Sequence, residues 1–175
     1  MRMWTRLARI VKHRWQSDMA AERAIPPALL AKLAAQVADS ESGHSGEIRI
    51  YVEAGLPMSY LWQSASTAQI THERALAMFG KLRVWDTAQN NGVLIYLLLA
   101  ERRIEIVADR GLNERVPAGT WSGMVEAMSA AFRSGDFEGG LVSAVKEVSV
   151  LLQRHFALAD GLHNPNELPN DPILG

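Results

Sequence analysis

The stretch Asn90–Gly111, "NNGVLIYLLLAERRIEIVADRG", decides the fold because two hydrophobic patterns follow one another in it. Val93–Ala100 is apolar without a break, but a membrane-spanning helix needs about 20 such residues, so this run is too short to cross a bilayer. Its Val, Ile, Tyr and Leu residues are typical of a strand covered on both faces. From Ile104 to Asp109 apolar and charged residues alternate, which predicts a second strand with one wetter face. The two strands should form a hairpin that turns at Glu101-Arg102.

The segments around this hairpin predict the rest of a layered α/β domain. The segment "EIRIYVEA", Glu47–Ala54, alternates as a strand, and a helix that Ser66 or Thr67 can cap separates it from the hairpin. A strand–helix–strand crossover of this kind makes the strands at 47 and 93 parallel. Apolar residues at helical spacing predict three more helices, over Pro27–Asp39, around Trp121–Phe132 and around Leu141–Leu152. The predicted sheet is therefore mixed, with a parallel crossover and an antiparallel hairpin.

Composition limits the classes of function. The 175 residues are 48% hydrophobic and 21% charged, which fits one globular domain with a substantial core. Without cysteine the chain has no disulfide, no thiolate nucleophile and no cysteine-bound zinc, which is compatible with the cytoplasm. The sequence contains no P-loop or Rossmann fingerprint and no Ser-His-Asp or His-x-x-x-His spacing, so no catalytic residue is assigned.

Charge and proline content divide the chain into three regions. Residues 1–23 form a basic amphipathic helix with six basic and two acidic residues, a net charge of +4, against −5 for the remainder. Residues 24–160 hold the α/β domain, and residues 161–175 form a tail rich in proline and asparagine. The tail is predicted to lie extended, either over the domain or free.

Polar residues should converge at one edge of the predicted sheet. The parallel crossover puts the starts of the strands at Glu47 and Val93 on the same edge, and the hairpin returns Asp109 to it. Hard cations take carboxylate, amide and carbonyl oxygens, so this edge is a candidate Ca²⁺ or Mg²⁺ site. Turn formation predicts several of the same residues and is the interpretation we favour. The candidate ligands are Glu47, Asp86, Asn90, Asn91 and Asp109.

The first fifteen residues, "MRMWTRLARIVKHRW", predict an amphipathic helix. Basic residues opposite tryptophans are typical of a helix that lies in an anionic membrane surface. Packing of the same helix on its own domain or on a second copy stays equally open. The candidate membrane-surface residues are Trp4, Leu7, Val11 and Trp15 on the apolar side and Arg2, Arg6 and Arg9 on the basic side.

Three motifs in order resemble the TPM domain family, also called TPM phosphatase domains. They are the Asn-Gly-Val-Leu start of the central strand, the hairpin, and the turn in "FRSGDFEGGLVSAV", and the resemblance spans roughly residues 27–157. The resemblance implies a three-layer α/β/α sandwich, a cation site and, for some members, weak acid phosphatase activity. The ending "NPNELPNDPILG" is similar to a short bacterial subgroup, here without a signal peptide or C-terminal membrane helix. Where relatives often begin with Asp-x-Ala-Gly, this chain has "RAIPPALL", so one implied metal-ligand carboxylate is missing.

Two functions follow as alternatives. The favoured one is a non-catalytic or accessory binding module at the cytoplasmic face of the inner membrane, peripheral to it, with a structural divalent cation and an unidentified protein partner. The alternative is a divalent-cation-dependent acid phosphatase of low activity. Nucleic acid is not expected as a partner, since the body of the chain is acidic and no basic stripe with interleaved aromatic residues recurs.

Overall fold

The computed structural model describes residues 9–13, 18–159 and 161–175. Residues 9–13 are helical, and the helices α1 and α2 lead into the first strand. In chain order the elements are α1 (Asp18–Ala24), α2 (Pro27–Glu41), β1 (Ile48–Glu53), α3 (Met58–Leu61), α4 (Thr67–Lys81), β2 (Val93–Leu98), β3 (Arg103–Ala108), α5 (Arg110–Asn113), α6 (Ala118–Ser134), α7 (Phe137–Phe156) and β4 (Ile173–Leu174).

Within the described residues the strands form one mixed sheet in the order β3-β2-β1-β4. β1 and β2 are parallel, with Ile48 opposite Val93, and α4 makes the crossover between them. β2 and β3 are antiparallel, with Val93 opposite Ala108, which confirms the predicted hairpin. The hairpin turns through a short 3-10 helix at Leu99–Glu101 and then Arg102, whose backbone is left-handed with φ of 48°.

Helices cover both faces of the sheet, so the molecule is a three-layer α/β/α sandwich. One face packs on α2, α6 and α7 through Leu33, Phe132 and Val148, which are fully buried. The other face packs on α4 through Ile70 and Met78. Because β2 lies between the two layers, all six of its residues are buried, as the unbroken apolar run predicts.

Local sequence signals account for the helix ends. The Ser66 hydroxyl caps α4 by accepting a hydrogen bond from the Gln69 N–H at 3.2 Å. Asp136 does the same for α7, where it accepts from the Gly139 N–H at 2.8 Å. Leu76 of α4 is exposed although it is apolar.

The tail lies over the domain and extends the sheet. Ile173 and Leu174 pair in parallel with Tyr51 and Val52 of β1, forming β4. Leu168 is buried against the face that carries α4. Proline and asparagine spacing gave no signal of a strand here, because the pairing depends on an edge of β1 that lies far away in sequence.

Candidate functional site

The starts of β1 and β2 and the end of β3 meet at one edge of the sheet. Glu47 lies just before β1, and its carbonyl accepts a hydrogen bond from the Val93 N–H at 2.8 Å. The Asp109 N–H donates to the Gly92 carbonyl at 2.9 Å. The Gly111 N–H donates to the Asn90 carbonyl at 2.8 Å, so these residues converge as the topology predicts.

The loop that precedes β2 uses two of the predicted ligands as turn residues. Asn90 has a left-handed backbone with φ of 53°, a conformation that asparagine tolerates better than most residues. Asp86 forms an exposed ion pair with Arg83, with 2.6 Å between Oδ2 and the guanidinium nitrogen. Asn90 therefore serves the turn through its backbone, and one oxygen of Asp86 is engaged by Arg83.

Asn91 and Asp109 offer oxygens that the described residues do not satisfy. Asn91 is fully buried, and its amide donates to Ser45 Oγ at 3.2 Å, which leaves Oδ1 without a hydrogen-bond partner in the described part of the chain. Asp109 caps α5 by accepting from the Arg110 N–H at 2.7 Å, and its buried Oδ2 has no partner among the same residues. Unsatisfied buried oxygens are costly, and carboxylate and amide oxygens are of the types that hard cations take as ligands.

Glu47, one of the predicted cation ligands, contacts the tail. Its buried carboxylate accepts hydrogen bonds from the backbone N–H groups of Glu167 at 3.1 Å and Leu168 at 3.2 Å. Burial raises the pKa of Glu47, and the two hydrogen bonds from the tail oppose that shift. Both oxygens are thereby occupied, and Glu47 fastens the tail to the domain.

Glu41, near the end of α2, was not among the predicted site residues. It is only 4% exposed, and its Oε1 accepts from the Ile48 N–H at 3.0 Å. Oε2 has no hydrogen-bond partner within the described residues. Burial raises the pKa of Glu41 to about 8, with the nearby Glu47 adding to the rise and Arg49 opposing it. A glutamate on a helix gives no sequence signal of such burial.

His44 is buried beside this edge in a chain of hydroxyl groups. Its Nδ1 lies 3.0 Å from the Gly46 carbonyl and its Nε2 lies 2.8 Å from Ser40 Oγ, which in turn contacts Ser149. Burial lowers the pKa of His44 to about 4, so the imidazole is neutral near pH 7. A neutral ring between a carbonyl and a hydroxyl holds α2 and the β1 loop together.

The opposite end of β1 also buries a carboxylate, which sequence reasoning missed. Glu53 is held by Arg74 of α4 in a bidentate pair, with Oε1 and Oε2 2.6 and 3.0 Å from the guanidinium nitrogens, and Tyr96 donates to Oε2 at 2.5 Å. Arg74 also lies over the Tyr60 ring, 5.4 Å from its centroid. Burial raises the pKa of Tyr96, so its phenol stays protonated and donating.

Of the seven predicted membrane-surface residues, the structure describes Arg9 and Val11. Val11 is 54% exposed. Arg9 donates to the carbonyls of Leu61 at 2.6 Å and Gln63 at 2.7 Å, so its guanidinium holds the helical residues 9–13 against the end of α3. Trp4, Leu7, Trp15, Arg2 and Arg6 lie outside the described residues.

His13 and Lys12 complete this attachment at the hairpin turn. The buried His13 accepts from the Leu56 N–H at Nδ1, 2.9 Å away, which places its hydrogen on Nε2, facing Glu101 at 2.9 Å. Lys12 pairs with the other Glu101 oxygen at 2.7 Å. Burial would raise the pKa of Glu101, but the hydrogen bonds from His13 and Lys12 outweigh it and lower that pKa.

An exposed apolar surface adjoins the helical residues 9–13. Trp62 follows α3 and is 60% exposed, and Met58 at the start of α3 is 39% exposed. Arg9 binds the carbonyls on either side of Trp62, so residues 9–13 and this tryptophan lie side by side. We call Val11, Met58 and Trp62 the α3 surface.

The described residues lack two features that bear on the predicted chemistry. Over residues 9–13, 18–159 and 161–175, no three His, Asp or Glu side chains are grouped to hold a metal ion. Across the same ranges no helix combines the length and apolar character needed to cross a membrane.

The layered sheet, its crossover and its hairpin define an α/β/α sandwich protein, and comparison with known proteins gives its family. A sequence model of the TPM domain matches residues 20–151, so the chain belongs to the TPM domain family. The NMR structure of BA42 protein from the psychrophilic bacteria Bizionia argentinensis sp. nov. is similar, with a TM-score of 0.72 and 26% sequence identity, over 86% of this chain and 95% of that one. A comparison with curated proteins finds no match.

Proposed function

We propose that this TPM domain is a non-catalytic binding module that docks on an anionic membrane surface through the α3 surface and the basic residues beside it. The observation that carries the proposal is the position of Trp62, largely exposed and next to the Arg9-bound residues 9–13. An exposed tryptophan beside basic side chains suits the boundary between headgroups and acyl chains. This docking would place the protein at the cytoplasmic face of the inner membrane, beside its protein partner.

Charge complementarity selects the occupant of this surface. Residues 1–23 carry a net charge of +4, and Lys12, beside Val11, keeps about half of its side chain exposed. Each basic residue near an anionic bilayer contributes about 1 kcal/mol to binding, and salt screens the attraction. Because the α3 surface adds apolar contact to this charge, a lipid surface fits it better than a neutral protein face.

The test compares two exposed tryptophans. Vesicles of phosphatidylserine and phosphatidylcholine should sediment the wild-type protein, whereas phosphatidylcholine alone should not, and added salt should release it. Trp62→Ala should weaken binding several-fold. Trp85→Ala removes a tryptophan that is 49% exposed and lies outside the α3 surface, and it should leave binding unchanged. Equal loss in both variants, or binding without anionic lipid, would contradict the proposal.

A structural Ca²⁺ or Mg²⁺ at the strand edge is the second part of the proposal. Asn91 Oδ1 and Asp109 Oδ2 are its protein ligands, because the described residues leave both buried oxygens unsatisfied. Glu47, occupied by the tail, and Asp86, paired with Arg83, are left out of the set. A bound cation would neutralise Asp109 and tie the start of β2 to the end of β3.

Thermal melting tests the cation. Millimolar Ca²⁺ or Mg²⁺ should raise the Tm of the wild type, as ligand linkage requires. Asp109→Asn keeps an oxygen for the α5 cap but removes the charge, so it should lose the shift. Asp86→Asn at the same edge should keep it. The absence of any shift, or its equal loss in both variants, would leave turn formation as the role of these residues.

The phosphatase alternative makes an opposite prediction for the same edge. Metal-dependent hydrolysis needs a cation that keeps an open position for an activated water, and a single carboxylate with one amide gives few charges to hold it. We therefore expect p-nitrophenyl phosphate to remain intact in the presence of Ca²⁺ or Mg²⁺ between about pH 5 and 8. Hydrolysis that disappears in Asp109→Asn would establish the enzyme instead.

A further inference from the structure

A pocket of about 300 Å³ lies between the end of α2 and the tail, and its lining includes neither the residues of the α3 surface nor the proposed cation ligands Asn91 and Asp109. Glu41 and Ser42 line it from α2 and its C-terminal cap, and His163, Asn164, Asn166 and Asn170 line it from the tail. Its volume is at the lower end of the range for small-molecule sites. The lining is polar, which distinguishes it from a packing defect between apolar layers.

Two acceptor atoms of this lining receive no hydrogen bond from the described residues. Glu41 Oε2 and Asn170 Oδ1 are buried, and neither has a hydrogen-bond partner within residues 9–13, 18–159 and 161–175. Their neighbours do have partners, since Asn164 Oδ1 accepts from the Asn166 N–H at 2.8 Å and the Ser42 hydroxyl donates to the Asp39 carbonyl at 2.6 Å. The Asn170 side chain does hydrogen-bond the Glu41 carboxyl, which lowers the pKa that burial raises, but the two atoms Glu41 Oε2 and Asn170 Oδ1 keep no partner among these residues.

Charges around the pocket favour a cation. β1 contributes Glu47 and Arg49, and the tail contributes His163, Glu167 and Asp171. The carboxyl groups thus outnumber the one guanidinium. The Arg49 guanidinium donates a hydrogen bond to the Asp171 carbonyl at 3.4 Å rather than to Glu41. A buried carboxylate that no residue neutralises is stabilised by an added proton or by a bound cation.

We propose that this pocket binds an organic cation with N–H donors, an ammonium or guanidinium group, at Glu41 Oε2 and Asn170 Oδ1. Such a group supplies both the positive charge and the two donors that the lining lacks. A metal ion suits the site less well, because the described residues group no three His, Asp or Glu side chains there. The cation is either a free small molecule or the side chain of a lysine or arginine on a partner protein, and the shared chemistry is the same.

Solution NMR of the 19.3 kDa protein tests the site directly. Methylguanidinium should shift the amide resonances of residues 41–43 and 163–170 saturably. Tetramethylammonium, which has the charge but no N–H, should not. Equal shifts from tetramethylammonium, or no saturable shift from methylguanidinium, would overturn the proposal.

Matched variants locate the binding. Glu41→Gln keeps the oxygen that accepts from the Ile48 N–H and should remain folded, yet it should abolish the methylguanidinium shifts. Glu147→Gln, on the exposed side of α7, should leave them intact. Unchanged binding in Glu41→Gln would refute the assignment of Glu41, and a Tm close to that of the wild type excludes unfolding as the reason for a loss.

The pH dependence is a second readout. Methylguanidinium stays charged throughout, whereas the Glu41 carboxyl, with its pKa near 8, ionises over this range. Affinity should therefore rise about tenfold or more between pH 6 and 9. An affinity that does not rise with pH would contradict the role of Glu41.

A final arm separates the two sources of the cation. N-acetyl-arginine amide and N-acetyl-lysine amide represent side chains on a polypeptide, and methylguanidinium represents a free small molecule. Tighter binding of a blocked amino acid supports a protein partner. If neither blocked amino acid binds but methylguanidinium does, the result supports a free organic cation.

Discussion

The two ends of β1 each bury a carboxylate, and they neutralise it in different ways. At the carboxyl end, Glu53 has a bidentate pair with Arg74 and a hydrogen bond from the Tyr96 phenol. At the amino end, Glu47 accepts backbone N–H groups from the tail, and Glu41 keeps one oxygen without a partner among the described residues. One end is closed by its own side chains, and the other depends on a segment more than a hundred residues away.

This difference separates scaffold from site. A buried charge whose hydrogen bonds are all made holds two elements in register, as Glu53 holds β1 to α4. A buried charge with an open position can accept a proton or a ligand, so its environment responds to pH and to solutes. The amino end of β1 is thus where conditions should change the protein, and the carboxyl end is where mutation should damage it.

The largest effect is expected from Arg74→Met. This change leaves Glu53 buried without its cation, which should destabilise the fold by about 3–5 kcal/mol in urea denaturation. The double variant Glu53→Gln/Arg74→Met has no buried charge and should recover part of the loss. A single variant within about 1 kcal/mol of the wild type would show that the carboxyl end is not a closed ion pair.

Glu47→Ala should have the next largest effect. It removes the acceptor for two backbone N–H groups of the tail, and unsatisfied buried donors cost about 1–3 kcal/mol each. Hydrogen exchange should accelerate at the Glu167 and Leu168 amides. Glu167→Gln is the control, since the Glu167 side chain is exposed and its partner among the described residues is the Ala88 N–H. Unaltered exchange at both amides would mean that Glu47 does not fasten the tail.

Glu41→Gln should give a smaller effect that depends on pH. Burial raises the pKa of Glu41 from 4.5 to about 8, so the folded protein holds a proton that the unfolded chain releases. The stability from this proton is complete below about pH 4.5 and is lost as pH rises through about 8. Glutamine does not titrate. The Tm of the variant should therefore rise relative to that of the wild type as pH increases from about 5 to 8.5.

His44 provides the internal check on this prediction. Burial lowers its pKa to about 4, so its contribution to stability is present above about pH 6.5 and is lost as pH falls through about 4. Both proteins retain His44, so this loss cancels in their difference. A constant Tm difference across the range would show that Glu41 is ionised at every pH tested.

Asp86→Ala should have the smallest effect. Its ion pair with Arg83 is exposed on both sides, and such pairs contribute less than about 1 kcal/mol. The urea midpoint of the variant should therefore differ little from that of the wild type. The small difference should disappear in high salt, which screens the ion pair. A loss comparable with that of Arg74→Met would show that exposure does not distinguish the charges in this protein.

Much of the fold was predictable because its signals are local. The unbroken apolar run of β2 and the alternation of β3 depend on which faces each strand buries, and both follow from residues within the strand. The caps at Ser66 and Asp136 bond N–H groups three residues away. The short helices α3 and α5 were not predicted, since four residues give too little periodicity to identify a helix.

The candidate site was predicted only in part. The topology correctly brought Asn91 and Asp109 to one edge, because parallel strands begin on the same side and a hairpin returns to it. No sequence pattern separates them from Glu47, which accepts hydrogen bonds from the tail, or from Asp86, which pairs with Arg83. That distinction depends on hydrogen-bond partners, which residue type does not specify.

By itself, the sequence determined the longer helices, the strands β1 to β3, their parallel crossover and the hairpin, because periodicity and turn chemistry act over a few residues, and its motifs indicated the family. Only the tertiary structure decided that the tail becomes β4, that Arg9 holds residues 9–13 beside Trp62, and that Glu41 faces the tail with an oxygen unfilled. These contacts join residues that are 52 to 122 positions apart. Burial and pKa depend on what the fold brings around a group, and a single stretch of chain does not contain that information.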